Sequence, residues 1–205
     1  MIEDMGDTTE FQPLTKQDRI SVIIYRAGIV LSAISIALGA FLLFTSPSSG
    51  AAVCPVTGFL VLLISLYVSV GLSVFFIHLY ISKFHRGLKK LYYAALACLL
   101  LLFFLSGGDL PGAFTSGHYL ALLLLPLSGC LGFITAKEAF CFKLMEGYIL
   151  ALVMPAYLVL VASGQMTARG AAFGLVFIAA LLLLFTLRKV SMPLHYDIGD
   201  KSAYQ

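Results

Sequence analysis

Six long apolar runs separated by short polar segments organise the chain. They cover residues 22–44, 56–81, 91–105, 118–135, 148–163 and 171–187. Leu and Ala dominate them, without the alternation that a transmembrane barrel strand needs. A helix of about 20 apolar residues crosses the roughly 30 Å hydrocarbon layer of a bilayer. Lipid offers no partner to a backbone N–H or C=O, so spanning segments close their hydrogen bonds internally. The pattern therefore predicts an all-α, polytopic bundle of six transmembrane helices. The third run is short for a span unless residues 88–90 join it. The boundary between the fourth and fifth is the hardest to draw, because a mixed segment, 136–147, lies there.

Turn-rich stretches separate the early runs: TSPSSG at 45–50 and SGGDLPGAFTSG at 106–117. Pro126 and Pro155 interrupt the fourth and fifth runs. Both lie in the second half, so they are not matching breaks of an inverted repeat. Ahead of the first run, Glu3, Asp4, Asp7, Glu10 and Asp18 outnumber Lys16, unlike the short basic start of a secretory signal. The expected organisation is a flexible acidic tail at 1–20, a transmembrane domain at 21–189 and a cytoplasmic tail at 190–205.

Composition and charge add orientation. The chain is 60% hydrophobic and 11% charged over 205 residues, too little polar surface for a water-soluble domain of this size. With the N-terminus inside, every Lys and Arg except Arg169 falls in an inner segment or at an inner helix end. That bias predicts both termini on the cytoplasmic side, in a bacterial inner membrane. The net charge of +3 follows from these loops, and no basic, aromatic-rich patch suggests a nucleic-acid partner. The bilayer is the expected surrounding, and a second copy or another membrane protein the further class of partner. Cys54, Cys98, Cys130 and Cys141 are scattered without a CxxC pair, so neither a disulfide framework nor a zinc site is expected. Phosphate loops, HExxH and GxSxG are absent, and no cofactor is implied.

Small residues recur at helical spacing: Gly28, Ser32, Ser35 and Gly39; Ser65, Ser69 and Ser73; Ser128, Gly132 and Ala136. Such stripes let helix backbones approach closely. A polar path lined by the serines is the alternative. Tyr25, Tyr80, Tyr92, Tyr93, Tyr119 and Tyr148 fall near the ends of runs, as residues of an interfacial belt do.

The candidate chemistry collects at the inner side. Segment 136–147 reads AKEAFCFKLMEG, too polar for a span and too apolar for a plain turn. An interfacial helical corner is expected, with Glu138, Cys141, Phe142 and Met145 along one side and Lys143 able to pair with Glu146. Arg26 and His78 lie about one turn inside the first and second runs. Arg26 either snorkels to the interface or pairs with Glu138 or Glu146. The candidate cluster is thus Arg26, His78, Lys137, Glu138, Cys141 and Glu146. In the bland reading its acids balance the lysines and cap helices. In the sharper one, Glu138 or Glu146 faces the bundle and binds a proton, a cation or a headgroup.

The string Ala136-Lys-Glu-Ala-Phe-Cys-Phe142, followed by Glu146-Gly147 and a leucine-rich helix broken by Pro155, resembles a family of uncharacterised bacterial and cyanobacterial integral membrane proteins. The resemblance implies a small multi-helix membrane protein. It brings no activity, cofactor or catalytic residue, but draws attention to Lys137, Glu138, Phe140, Cys141, Phe142 and Glu146. Three functions fit: a small transporter, channel or ion-coupled permease; a scaffold or assembly factor docking through 136–147; and, ranked last, a membrane enzyme using Glu138, His78 or Cys141.

Overall fold

The structure is a computed structural model that describes residues 15–45, 56–79, 82–107 and 118–197. Six helices cross the length of the bundle: α1 Lys16–Thr45, α2 Val56–Phe76, α3 Ser82–Ser106, α4 Leu125–Phe142, α5 Met145–Ala162 and α6 Ala168–Val190. A 3₁₀ segment, His118–Leu124, leads into α4, and a second, Leu194–Asp197, follows α6. Among the described residues there is no strand, and six helices are long and apolar enough to span a bilayer. The six-helix, all-α expectation is met. The 45–55 and 106–117 loops lie almost wholly outside the described residues, as do Cys54, Tyr80 and most of the acidic tail.

Successive helices alternate in direction. Ser21 on α1 meets His78 after α2 at one end. At the other, the rings of Phe44 on α1 and Phe173 on α6 meet edge to face, with centroids 5.4 Å apart. The end carrying residues 16–26, 77–90, 137–146 and 188–197 is called the basic end below.

Local chemistry explains where the helices begin and end. In α1, Thr15 accepts from the Asp18 N–H at 3.2 Å and Asp18 accepts from the Thr15 N–H at 2.9 Å. This reciprocal cap starts the helix ahead of the apolar run. The second helix stops at Phe76, short of the apolar run's end at 81, and Ile77 turns into the core. The third begins at Ser82, so the whole basic stretch joins it; Leu88 is buried, and Lys89 lies 5.6 Å from the centre of the Phe75 ring. That makes it a full-length span. The fourth begins α-helical geometry with Pro126 in its first turn, where a missing N–H costs nothing.

Segment 136–147 is not a separate interfacial helix. Residues 136–142 complete α4, Lys143 takes a left-handed conformation with φ 54°, and α5 starts at Met145. Gly147 permits the tight reversal: a Cβ there would stand 2.5 Å from the Thr135 carbonyl oxygen and 2.9 Å from Ala139 Cβ. Glu138 is consequently buried, Phe142 half-buried, and Cys141 and Met145 exposed, so these four do not share a side.

The serine stripes join α1 to α2. Ser32 Oγ and Ser69 Oγ are 2.7 Å apart, Ser35 Oγ and Ser65 Oγ 2.9 Å, and Ser73 donates to the Tyr25 carbonyl at 3.3 Å. Gly28 makes room, since its absent Cβ would lie 2.6 Å from the Ser69 carbonyl oxygen. The hydroxyls serve helix packing. Gly132 likewise lies against the α5 backbone at Ala151, whereas Gly39 faces open space. Large apolar side chains cover the outside, Leu100, Phe104, Leu152 and Leu187 among them, as a lipid solvent requires.

Candidate functional site

A network of buried charges lies at the basic end, where α1, α4 and α6 meet. Glu138 is fully buried. Its Oε1 accepts from the Tyr25 hydroxyl at 2.7 Å and from Lys137 Nζ at 2.7 Å. Its Oε2 pairs with Lys189 Nζ, which is equally buried. Lys189 also pairs with Asp197 Oδ1, and its ammonium stands 3.9 Å from the centre of the Phe142 ring. That cation–π contact lies in a desolvated setting, where such contacts are strongest.

Asp197 extends the network to α1. Its Oδ2 takes Arg26 Nε and Nη2, both at 2.6 Å. The remaining guanidinium donors go to the chain that follows α6: Nη1 to the carbonyls of Val190 at 3.2 Å and Met192 at 2.6 Å, Nη2 to Pro193 at 3.0 Å. All five N–H groups of the guanidinium can be placed against these acceptors. Arg26 thus clasps residues 190–197 across the end of the bundle. It does not pair with Glu138 or Glu146, and its side chain is only 7% exposed.

The sequence cluster is therefore partly assembled. Arg26, Lys137 and Glu138 belong to one network. His78 stands at its edge, sharing a 3.2 Å hydrogen bond with Ser21. Burial holds the His78 imidazole below its ordinary pKa of 6.5; Lys137 and His85 push the same way, while Asp197 and Asp18 oppose them. Cys141 is exposed on the last turn of α4. Glu146 leaves the cluster: its carboxylate takes Arg188 Nη1 at 2.7 and 2.8 Å, with Arg188 half exposed. The anticipated Lys143–Glu146 pairing gives way to this one.

Three members of the network, Tyr25, Lys189 and Asp197, escape sequence reading, as does the burial of Tyr92 elsewhere. Tyr25 and Tyr92 look like belt residues, yet both are buried; Tyr25 binds Glu138, and Tyr92 donates to the Tyr67 carbonyl at 2.9 Å. Lys189 looks like an anchor after the last span, and Asp197 like part of a solvated tail. Partners separated by 113 or 171 residues leave no spacing signal. Tyr93, Tyr119 and Tyr148 are exposed, as belt residues are.

The network holds three cations, Arg26, Lys137 and Lys189, against two carboxylates, Glu138 and Asp197. Charges this deep persist only when paired, and intramembrane ionisable groups commonly mark ion or substrate pathways. Among the described residues, no group of three or more His, Cys, Asp or Glu could hold a metal ion.

Six apolar helices around a buried ionic network define a polytopic integral membrane protein. Residues 72–205 match the family described as "Uncharacterized integral membrane protein (DUF2301)", and the chain belongs to that family. It is also similar to an uncharacterised protein of Haemophilus influenzae, 26% identical over 212 residues, an alignment covering 98% of this chain and 99% of that protein. No solved structure gives a significant match.

Proposed function

We propose that the protein is a small ion-coupled permease of a bacterial inner membrane, with its basic end toward the cytoplasm and Glu138 as the group that exchanges a proton. The observation that carries this reading is the sharing of buried Lys189 between Glu138 and Asp197. In a low-dielectric interior, a carboxylate stays ionised only while its cations stand beside it. A movement of α6 that withdraws Lys189 would leave Glu138 with Lys137 as its one cation and favour uptake of a proton, and its return would favour release. Protonation is thereby tied to helix arrangement, which ion coupling needs. The near-exclusive bias of Lys and Arg to the basic end supports the orientation.

The test is proton-coupled flux in proteoliposomes bearing a pH gradient. Wild-type protein is expected to move protons with a solute, and Glu138→Gln to abolish the coupling. Wild-type flux equal to that of empty liposomes, across a broad solute panel, would overturn the reading.

One observation favours a docking role as a second reading. Phe140 is 80% exposed and Met145 65%, on either side of the Lys143 turn. A scaffold could present this corner to another membrane protein or a second copy. A photocrosslinker at Phe140 would then capture one dominant partner; capture of abundant membrane proteins at background level would count against it.

A further inference from the structure

We propose that Arg26 and Lys189 form a binding site for a small oxyanion, a carboxylate or a phosphate, and that Asp197 occupies it as a tethered stand-in. The proposal deepens the permease reading by naming its substrate class, and rests on that reading for the step from binding to passage.

The geometry is that of oxyanion recognition. One oxygen of Asp197 takes two guanidinium nitrogens and the other takes an ammonium. A guanidinium fork matches planar or tetrahedral oxyanions in this way. The two cations are fixed on transmembrane helices, α1 and α6, whereas the carboxylate comes from the segment beyond α6. That segment, 191–197, is short, ends in a four-residue 3₁₀ helix and exposes Ser191, Pro193 and Tyr196. Its carbonyls at 192 and 193 occupy two of the other Arg26 donors, so its departure would free several N–H groups together.

Charge favours a replacement. With Asp197 in place, three cations face two carboxylates. With Asp197 withdrawn, they would face Glu138 alone, an excess that buried surroundings do not tolerate without an anion. A shallow, mostly apolar groove lined by Ile23, Ala27, Val30, Pro193 and Leu194 runs beside Arg26.

Binding can be measured on the full chain in phosphatidylcholine nanodiscs by calorimetry, titrating inorganic phosphate or acetate against chloride at matched ionic strength. If the tethered carboxylate holds the site about nine-tenths of the time, D197N should bind phosphate or acetate about tenfold more tightly than wild type. Adding K189M should remove the gain. Equal anion affinity in D197N and wild type would overturn the proposal. Should D197N fail to accumulate, the wild type carries the test: phosphate, and not chloride, should raise amide hydrogen exchange across 191–197. Exchange unaffected by phosphate would overturn the proposal. Phosphatidylglycerol in the nanodiscs separates the sources. Competition with phosphate marks a lipid headgroup as occupant, and indifference marks a water-borne anion; both keep the site. Absent flux with binding intact would sink the permease reading alone, and flux without anion binding would sink this site alone.

Discussion

Tyr25 donates its hydroxyl proton to Glu138 at 2.7 Å, linking α1 to α4 between residues 113 apart in sequence. The bond is buried and its acceptor is an acid paired with two lysines, so its removal leaves one oxygen of Glu138 short of a donor. Tyr25→Phe should cost about 1.5–3 kcal/mol, the range for a hydrogen bond to a charged group. Reversible unfolding by SDS titration in mixed micelles, followed by circular dichroism, measures this.

Lys189 answers for two carboxylates at once. Lys189→Met leaves Glu138 and Asp197 each with one cation fewer, and should destabilise the bundle by about 3–5 kcal/mol. A double cycle with Glu138→Gln should recover part of that loss, because the neutral amide no longer calls for a counter-charge. Strict additivity of the two changes would argue against direct coupling.

The seam between α1 and α2 has one sensitive position. A Cβ at Gly28 meets the Ser69 carbonyl and the Ser73 backbone N–H, neither of which can yield as a side-chain tip would. Gly28→Ala should cost about 1–3 kcal/mol as an overpacking change. Gly39→Ala, on the same helix and facing open space, should stabilise by about 0.5–1 kcal/mol. The comparison cancels the helix-propensity benefit of alanine.

Arg188 and Glu146 make the contrasting ion pair. The Glu146 carboxylate is buried, but the arginine side chain is 51% exposed, so water and salt reach and screen the interaction. Arg188→Ala should cost about 0–1 kcal/mol, an effect that shrinks as ionic strength rises. A loss as large as that of Lys189→Met would show that this pair matters structurally as much as the buried network.

Burial of His78 sets the sign of a pH dependence. Its folded-state pKa lies below the ordinary 6.5, chiefly through burial. Above that value the ring is neutral in both states and the contribution is complete. As pH falls through about 6.5, the unfolded chain takes the proton first and stability declines toward the lower folded pKa. Unfolding titrations at about pH 7.5 and about pH 5.5 should show a loss that His78→Gln reduces.

Hydropathy carried the architecture because each span must bury its own backbone bonds, a local requirement written in local sequence. It misjudged ends where polar chemistry intervenes. The Thr15–Asp18 cap was present as a T-x-x-D spacing but lay outside the apolar run. The 136–142 stretch looked interfacial because Lys137 and Glu138 are charged, yet the acid is buried once Tyr25 and Lys189 arrive. The site was half legible: Arg26, Lys137 and Glu138 stood out as charges within or beside spans. Lys189 and Asp197 did not, because their roles come from a reversal of the chain after α6 and from partners that no periodicity connects.

The Arg26 clasp has a consequence for biosynthesis. Residue 26 enters the membrane early, whereas its partners at 190–197 emerge from the ribosome only after five further helices. Until then the arginine lacks its acceptors and Glu138 lacks Lys189. The arginine must wait in a protected or hydrated setting during synthesis, since a lone charge in hydrocarbon is costly. The network therefore closes late in synthesis: these charges are all paired only when residues 190–197 have been delivered.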